Sequence, residues 1–195
     1  MKTQSLYLIL AAWLALALLA GASGIQAALP MPFPQALIFT LTFVLGLIYC
    51  GSPGFRAGVT AVSASTLVRF HITRFVGLYF LYLGSIGDLP RAFATPAGIG
   101  DIVTATSAVV VASLNRKRSL QNNRIYFIWN MLGTFDILFV VANAARLGLA
   151  DPASMQALTR LPLSLLPFFL VPLIIFSHAV LFHRLWRSFR TSAMM

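Results

Sequence analysis

The sequence predicts an all-α fold, a six-helix bundle in a membrane with both termini cytoplasmic, and three observations predict it. Of 195 residues, 59% are hydrophobic and only 9% are charged, against roughly 25% charged in an average soluble domain. Apolar runs of spanning length recur from end to end. The basic residues collect at the ends of alternate runs, the asymmetry that marks cytoplasmic loops.

Six segments carry the apolar runs: 6–27, 35–50, 67–86, 93–114, 124–147 and 161–185. Each is about as long as a hydrocarbon layer of ~30 Å requires at ~1.5 Å per residue. They form one domain over 1–195, and the breaks between them carry turn chemistry. Pro30, Pro32 and Pro34 separate the first two segments, and Gly51-Ser52-Pro53-Gly54 opens the loop after the second. Gly87-Asp88-Leu89-Pro90 follows the third, and Asp151-Pro152 follows the fifth.

With the N-terminus inside, Lys2, Arg56, Arg69, Arg116, Lys117, Arg118, Arg124, Arg184, Arg187 and Arg190 are all cytoplasmic. Arg91 and Arg160 remain on the other side, and Arg146 lies near a boundary. This arrangement places the protein in a cell inner membrane as a multi-pass chain. The rival for the first segment is a cleaved secretory signal ending at Ile25-Gln26-Ala27; the retained helix is the reading adopted. Tyr7, Trp13, Tyr49 and Trp186 near segment ends fit interfacial anchoring.

The net charge of +10, from 14 Lys and Arg against 4 Asp, does not indicate nucleic acid, because the cations flank apolar runs instead of sharing a soluble face. Bilayer lipid is the expected partner, with anionic headgroups at Arg116, Lys117 and Arg118. A homodimer suits so small a bundle. The single cysteine, Cys50, excludes an intrachain disulfide and any paired-cysteine metal or redox site; it reads as a small buried hydrophobe.

Four ionisable side chains fall inside the apolar runs: Arg74, Asp101, Asp136 and His178. Such charges cost about 2.5–3.5 kcal/mol on insertion scales, so they face the bundle interior and mark sites. Counting residues puts Asp101 ~12 Å and Asp136 ~18 Å into their helices, and Arg74 ~10 Å from the cytoplasmic end of its own. Asn130 and His178 fall in the same inner third. Arg74 is also close enough to the interface to snorkel, and the sequence leaves open which carboxylate it pairs with.

Helical periodicity groups these residues. Trp129, Asp136 and Asn143 are seven apart and share a face with Gly133. Gly100, Thr104, Ala108 and Ala112 form a small-residue stripe beside Asp101. Arg74, Gly77 and Gly84 also lie together on the helical wheel. Pro96-Ala97-Gly98-Ile99-Gly100-Asp101 reads as a helix start sunk below the membrane surface. Pro162, Pro167 and Pro172 kink the last helix and free carbonyls toward the interior.

The candidate site for an ion, a proton or a small polar solute is therefore Arg74, Asp101, Asn130, Asp136 and His178. Asp101 and Asp136 would carry charge or protons, Arg74 would hold an anion or tune them, and His178 would relay or orient. The bland alternative is a structural ion pair that locks the helices. A second alternative is a membrane enzyme, or a haem-binding electron carrier using two of His71, His178 and His183, with His71 and His183 at cytoplasmic helix ends. No resident cofactor is expected on the leading reading. Motifs for a serine hydrolase, a zinc protease or a phosphate loop are missing from the chain, and no spacing suggests a metal site.

The stretches Arg74-Phe75-Val76-Gly77, Phe93 to Asp101 and Trp129 to Asp136, with Leu89-Pro90, Pro172 and His178, resemble a family of small, uncharacterised bacterial integral membrane proteins. The Pro-Ala-Gly-x-Gly-Asp and Trp-Asn-x-x-Gly-x-x-Asp patterns carry most of the likeness, which runs from about Leu67 to the C-terminus. The resemblance implies a multi-pass inner-membrane location and no particular reaction.

Overall fold

The computed structural model describes residues 3–113 and 120–192. Expectations about Lys2 and about Arg116, Lys117 and Arg118 lie outside those residues. Eight α-helices stand among the described residues: α1 (Thr3–Ala22), α2 (Phe33–Gly51), α3 (Pro53–Ala61), α4 (Ala64–Phe70), α5 (Val76–Ile86), α6 (Arg91–Ser113), α7 (Leu120–Ala150) and α8 (Val171–Ser192). Five helical stretches are long and apolar enough to cross a membrane: Gln4–Ala22, Phe33–Gly51, Arg91–Ser113, Arg124–Ala150 and Leu166–Ser188. Their outward faces are apolar, as at Phe43, Leu132 and Phe135.

The third apolar segment differs from expectation. It is not one helix but three pieces: α4, a 3-10 turn over His71–Phe75, and α5. The loop expected after Gly51 is largely helical too. Ser52 caps α3 by accepting from the Phe55 N–H at 3.3 Å, and Ser63 caps α4 by accepting from the Thr66 N–H at 3.0 Å. Gly87, at φ +87°, ends α5 in the left-handed conformation that glycine adopts without a steric penalty.

α6 is the central helix, packed against α4, the His71–Phe75 turn, α5 and α7; α8 packs against α7, α2 and α4. The α5–α6 approach depends on glycine. A Cβ on Gly77 would stand 2.5 Å from the Gly98 carbonyl oxygen and 2.8 Å from Asp101 Cβ, and one on Gly84 would stand 2.5 Å from Ala94 Cβ. The anticipated stripe is buried at Thr104, Ala108 and Ala112, but the tightest backbone contact uses Gly77 and Gly98. In lipid, such close approach replaces the hydrophobic drive that water supplies.

α6 does not begin at a sunken Pro96. It begins at Arg91, and Pro96 lies inside it. Proline lacks the N–H that would reach the carbonyl four residues back, here that of Ala92. Asn143 supplies the missing donor: its Nδ2 lies 2.9 Å from the Ala92 oxygen, and its Oδ1 accepts from Arg146 Nε and Nη2 at 3.3 and 2.9 Å. Asn143→Leu is expected to lower stability by about 1–2 kcal/mol, from one orphaned carbonyl in an apolar setting. The double variant Asn143→Leu with Pro96→Ala restores an intrahelical donor and is expected to recover most of that loss. Thermal denaturation of both proteins in one detergent checks the pair.

The last apolar segment repeats the device. Pro162 precedes the helix, and Pro167 lies in a π turn over Leu166–Leu170 that leads into α8. Pro172 cannot donate to Phe168, and the Trp13 indole does so from α1 at 2.9 Å. Trp13 also sets its ring edge-on to Phe169, centroids 5.1 Å apart. Trp13 is therefore a packing residue and not an interfacial anchor. Tyr49 is buried as well, with its hydroxyl 3.1 Å from His183 Nδ1. Cys50, expected inside, is exposed, because the buried face of α2 at that end is taken by Tyr49.

Candidate functional site

Arg74 enters the core because of the 3-10 turn. In a 3-10 helix the side chains at i and i+3 eclipse, so His71 and Arg74 leave the backbone on one side. Both are buried, at 0% and 1% exposure. One expectation is corrected here: Arg74 is buried and does not snorkel to the interface. His71 caps the C-terminal end of α4.

The guanidinium serves three partners. Nε donates to Asp101 Oδ1 at 2.6 Å, Nη1 donates to the Gly133 carbonyl at 3.1 Å, and Nη2 pairs with Asp136 Oδ2. Arg74 thus pairs with both carboxylates. Their surroundings differ: the Asp101 side chain is 4% exposed and that of Asp136 is 20% exposed. Asp136 reaches its place by crossing α6 where there is no side chain, its carboxylate lying against Gly100. Exposed apolar residues surround it in sequence, with Leu132 and Phe135 on α7 and Ile99 and Val103 on α6.

A second cluster adjoins the first. Asn130 Nδ2 donates to the His178 carbonyl at 3.1 Å, and Asn130 Oδ1 lies 2.7 Å from His178 Nδ1. The amide orientation assigns the tautomer. With Nδ2 donating, Oδ1 accepts, so His178 carries its proton on Nδ1. Ser177 donates to the Ile174 carbonyl at 2.8 Å and therefore accepts from His71 Nε2 at 3.0 Å. The same reasoning leaves His71 Nδ1 and His178 Nε2 without hydrogens. Both nitrogens are buried and lack a hydrogen-bond partner among the described residues. The rings lie 4.3 Å apart, with Trp129 edge-on to His71 at 5.0 Å. Trp129 is held in turn by Ser107 Oγ, 3.1 Å from its Nε1.

Gly133 joins the clusters. Its carbonyl takes Arg74, and a Cβ there would stand 2.8 Å from His178 Cε1. The whole assembly is a polar layer between two apolar ones. One contains Phe80, Phe93, Ala97 and Val140, and the other contains Val68, Ala108, Trp129 and Leu181. Asp101 lies between Ala97 and Ala108 on α6, and Asn130 and Asp136 lie between Trp129 and Val140 on α7.

The expected set of Arg74, Asp101, Asn130, Asp136 and His178 is thus brought together. His183 is apart from it, exposed and paired with Tyr49. His71 and Ser177 belong to the layer and were not foreseen in it. The available signal was the spacing of His71 three residues before Arg74, which puts both on one face of a helix and which a 3-10 turn brings into register. Arg184, foreseen only as a topological charge, donates to the Val59 and Val62 carbonyls at 2.5 and 2.6 Å and closes the end of α3. Among the described residues no group of three or more His, Cys or Asp is spaced to hold a metal ion.

The chain belongs to an uncharacterised family, a domain of unknown function (DUF8737), whose model matches residues 30–186. The match covers every residue of the polar layer and begins well before Leu67, so α2 is part of the family domain while α1 lies outside it. No curated protein and no solved structure matches the chain.

Proposed function

We propose that this protein is a multi-pass protein of a bacterial inner membrane, with six spans and both termini cytoplasmic, that binds one exchangeable cation, a proton first of all, at Arg74, Asp101 and Asp136 in the course of moving an ion or small polar solute. Three features support the membrane part: the five spanning-length helices, the interrupted stretch from α4 to α5 as the sixth span, and the concentration of Arg and Lys at one set of ends. On this reading bilayer lipid covers the apolar flanks, anionic headgroups meet Arg116, Lys117 and Arg118, and a second copy forms a homodimer.

One observation carries the site. A single buried guanidinium faces two carboxylates. With both ionised the layer holds a net negative charge between apolar cores, where an uncompensated charge is costly. One proton or one small cation removes that cost, and its departure and return is what a carrier needs. Asp136 is the carboxyl that exchanges, since it alone retains exposure and holds only the terminal nitrogen of Arg74. Asp101, gripped at Nε, is the permanent counterion. His178, with a bare nitrogen beside Gly133, whose carbonyl holds Arg74, is the residue that relays a proton or orients the site on this reading.

The test is infrared difference spectroscopy on the purified protein across a pH titration, with uptake assays in liposomes alongside. Wild type is expected to show a protonated carboxyl band that Asp136→Asn removes, with transport lost and the fold retained. A carboxyl band absent from wild type, or present unchanged in Asp136→Asn, would sink the assignment.

A structural lock is the second reading, favoured by the three donor contacts Arg74 makes within the protein. The haem alternative finds less support: His71 and His178 are in contact with each other, leaving no gap for a porphyrin plane between them.

A further inference from the structure

Asp136 opens sideways. It stands close to the middle of the spanning-length stretch Arg124–Ala150, at a depth where a spanning helix is surrounded by hydrocarbon. Its side chain keeps 20% of its surface exposed. Oδ2 pairs with Arg74, and no hydrogen bond from the described residues reaches Oδ1, which lies over Gly100. Leu132, Phe135 and Phe139 beside it on α7 are exposed, and so are Ile99 and Val103, which flank Gly100 on α6. A carboxyl oxygen with free lone pairs therefore sits in an apolar surface, at the seam between α6 and α7.

We propose that this seam binds the ammonium group of a lipophilic amine, admitted through the bilayer, in exchange for the proton of Asp136. The inference rests on the exchange assigned to Asp136 above and names the class of molecule that exchanges there. Three features choose the occupant. The first is charge: with Asp101 and Asp136 ionised against Arg74, the layer lacks one positive charge. The second is entry: the residues around the opening are apolar, so the molecule arrives dissolved in hydrocarbon, which a hydrated ion or a sugar does not. The third is donor capacity: lipid tails offer Oδ1 no N–H, and an ammonium does. Phe135, the preceding residue and 75% exposed, adds an aromatic ring to the same surface, and such rings attract cations. The exchange balances. The amine leaves one proton in water and enters the bilayer neutral. Its nitrogen then takes the carboxyl proton of Asp136, and the ammonium formed donates to the carboxylate that remains. The charged and titratable groups facing Asp136 are Arg74 from the 3-10 turn and, through it, Asp101 of α6, with His178 of α8 beyond Gly133 and His71 against it. All four are buried, so the amine meets Asp136 first.

The full chain in lipid nanodiscs is titrated with phenylbutylamine, at a pH where wild type shows its protonated carboxyl band. Phenylbutanol serves as the neutral counterpart, and empty nanodiscs set the baseline. Infrared difference spectra follow the band, and a pH indicator in weak buffer counts protons. Wild type is expected to lose the band as amine is added and to release about one proton per amine bound, while the alcohol leaves the band in place. That comparison requires no variant to fold. Phe135→Ala is expected to weaken amine binding about tenfold, Asp136→Asn to release no proton, and Leu149→Ala, exposed near the far end of α7, to bind as wild type does. A wild type without a carboxyl band at any pH would end the proton reading and this inference with it. A band that the amine leaves in place, or that the alcohol removes equally, would overturn this inference alone. So would proton release from Asp136→Asn equal to that from wild type, or undiminished affinity in Phe135→Ala.

Discussion

Replacing Arg74 with leucine alone is expected to cost about 3–5 kcal/mol, the range for removing one partner of a buried ion pair, and to leave little monodisperse protein in detergent. The cause is what remains: two carboxylates, one of them 4% exposed, with no cation between two apolar layers. Arg74→Lys is expected to rescue only part of the loss, because an ammonium cannot serve the separate directions of Asp101, Gly133 and Asp136 as the planar guanidinium does. The triple variant Arg74→Met, Asp101→Leu, Asp136→Leu removes every charge together and is expected to fold about as well as wild type. Thermal unfolding followed by size exclusion separates the three proteins. The triple variant also decides between the two readings of the layer. A carrier loses transport in it, whereas a lock keeps whatever activity the protein has. Wild-type stability in Arg74→Leu would remove the premise of both.

Asn130→Ala is expected to cost about 2 kcal/mol. Interhelical hydrogen bonds in membranes are worth ~0.6–1.7 kcal/mol each, and this side chain makes two, to the carbonyl and to the ring of His178. The variant also frees His178 to take the other tautomer. Nitrogen NMR of the labelled histidine is the measurement: wild type is expected to carry the proton on Nδ1, and Asn130→Ala to show a mixture. A wild-type ring protonated on Nε2 would overturn the assigned orientation of the Asn130 amide. Asn130→Asp loses the donor to the backbone and puts a third carboxylate into the buried layer, so it is expected to be less stable than Asn130→Ala.

Much of this was legible from residue order because the bilayer is a demanding solvent. A run such as 35–50 or 124–147 has few alternatives to a helix, since every backbone group must be satisfied within the segment. Arg74, Asp101 and Asp136 could be placed together by the cost of leaving any one of them alone in lipid. The seven-residue spacing of Trp129, Asp136 and Asn143 gave the inner face of α7, and all three lie on it, Asp136 at its edge. Pro172 is readable as the source of a free carbonyl while Pro96 reads as a helix start, and the donors Trp13 and Asn143 are readable for neither, because a donor 155 or 51 residues away leaves no local pattern.

The sequence by itself determined the helical class, the apolar flanks and five members of the polar layer, Arg74, Asp101, Asn130, Asp136 and His178, since hydrophobicity and helical period are properties of short stretches. Tertiary structure decided the rest. The 3-10 turn at His71–Phe75 turned His71 and Arg74 to one side, and glycines on α5, α6 and α7 let a carboxylate, a carbonyl and an imidazole approach backbone directly. Arg74 bridges both aspartates because three helices bring those gaps to one level, and the energy of that meeting depends on distances between segments that no local pattern encodes.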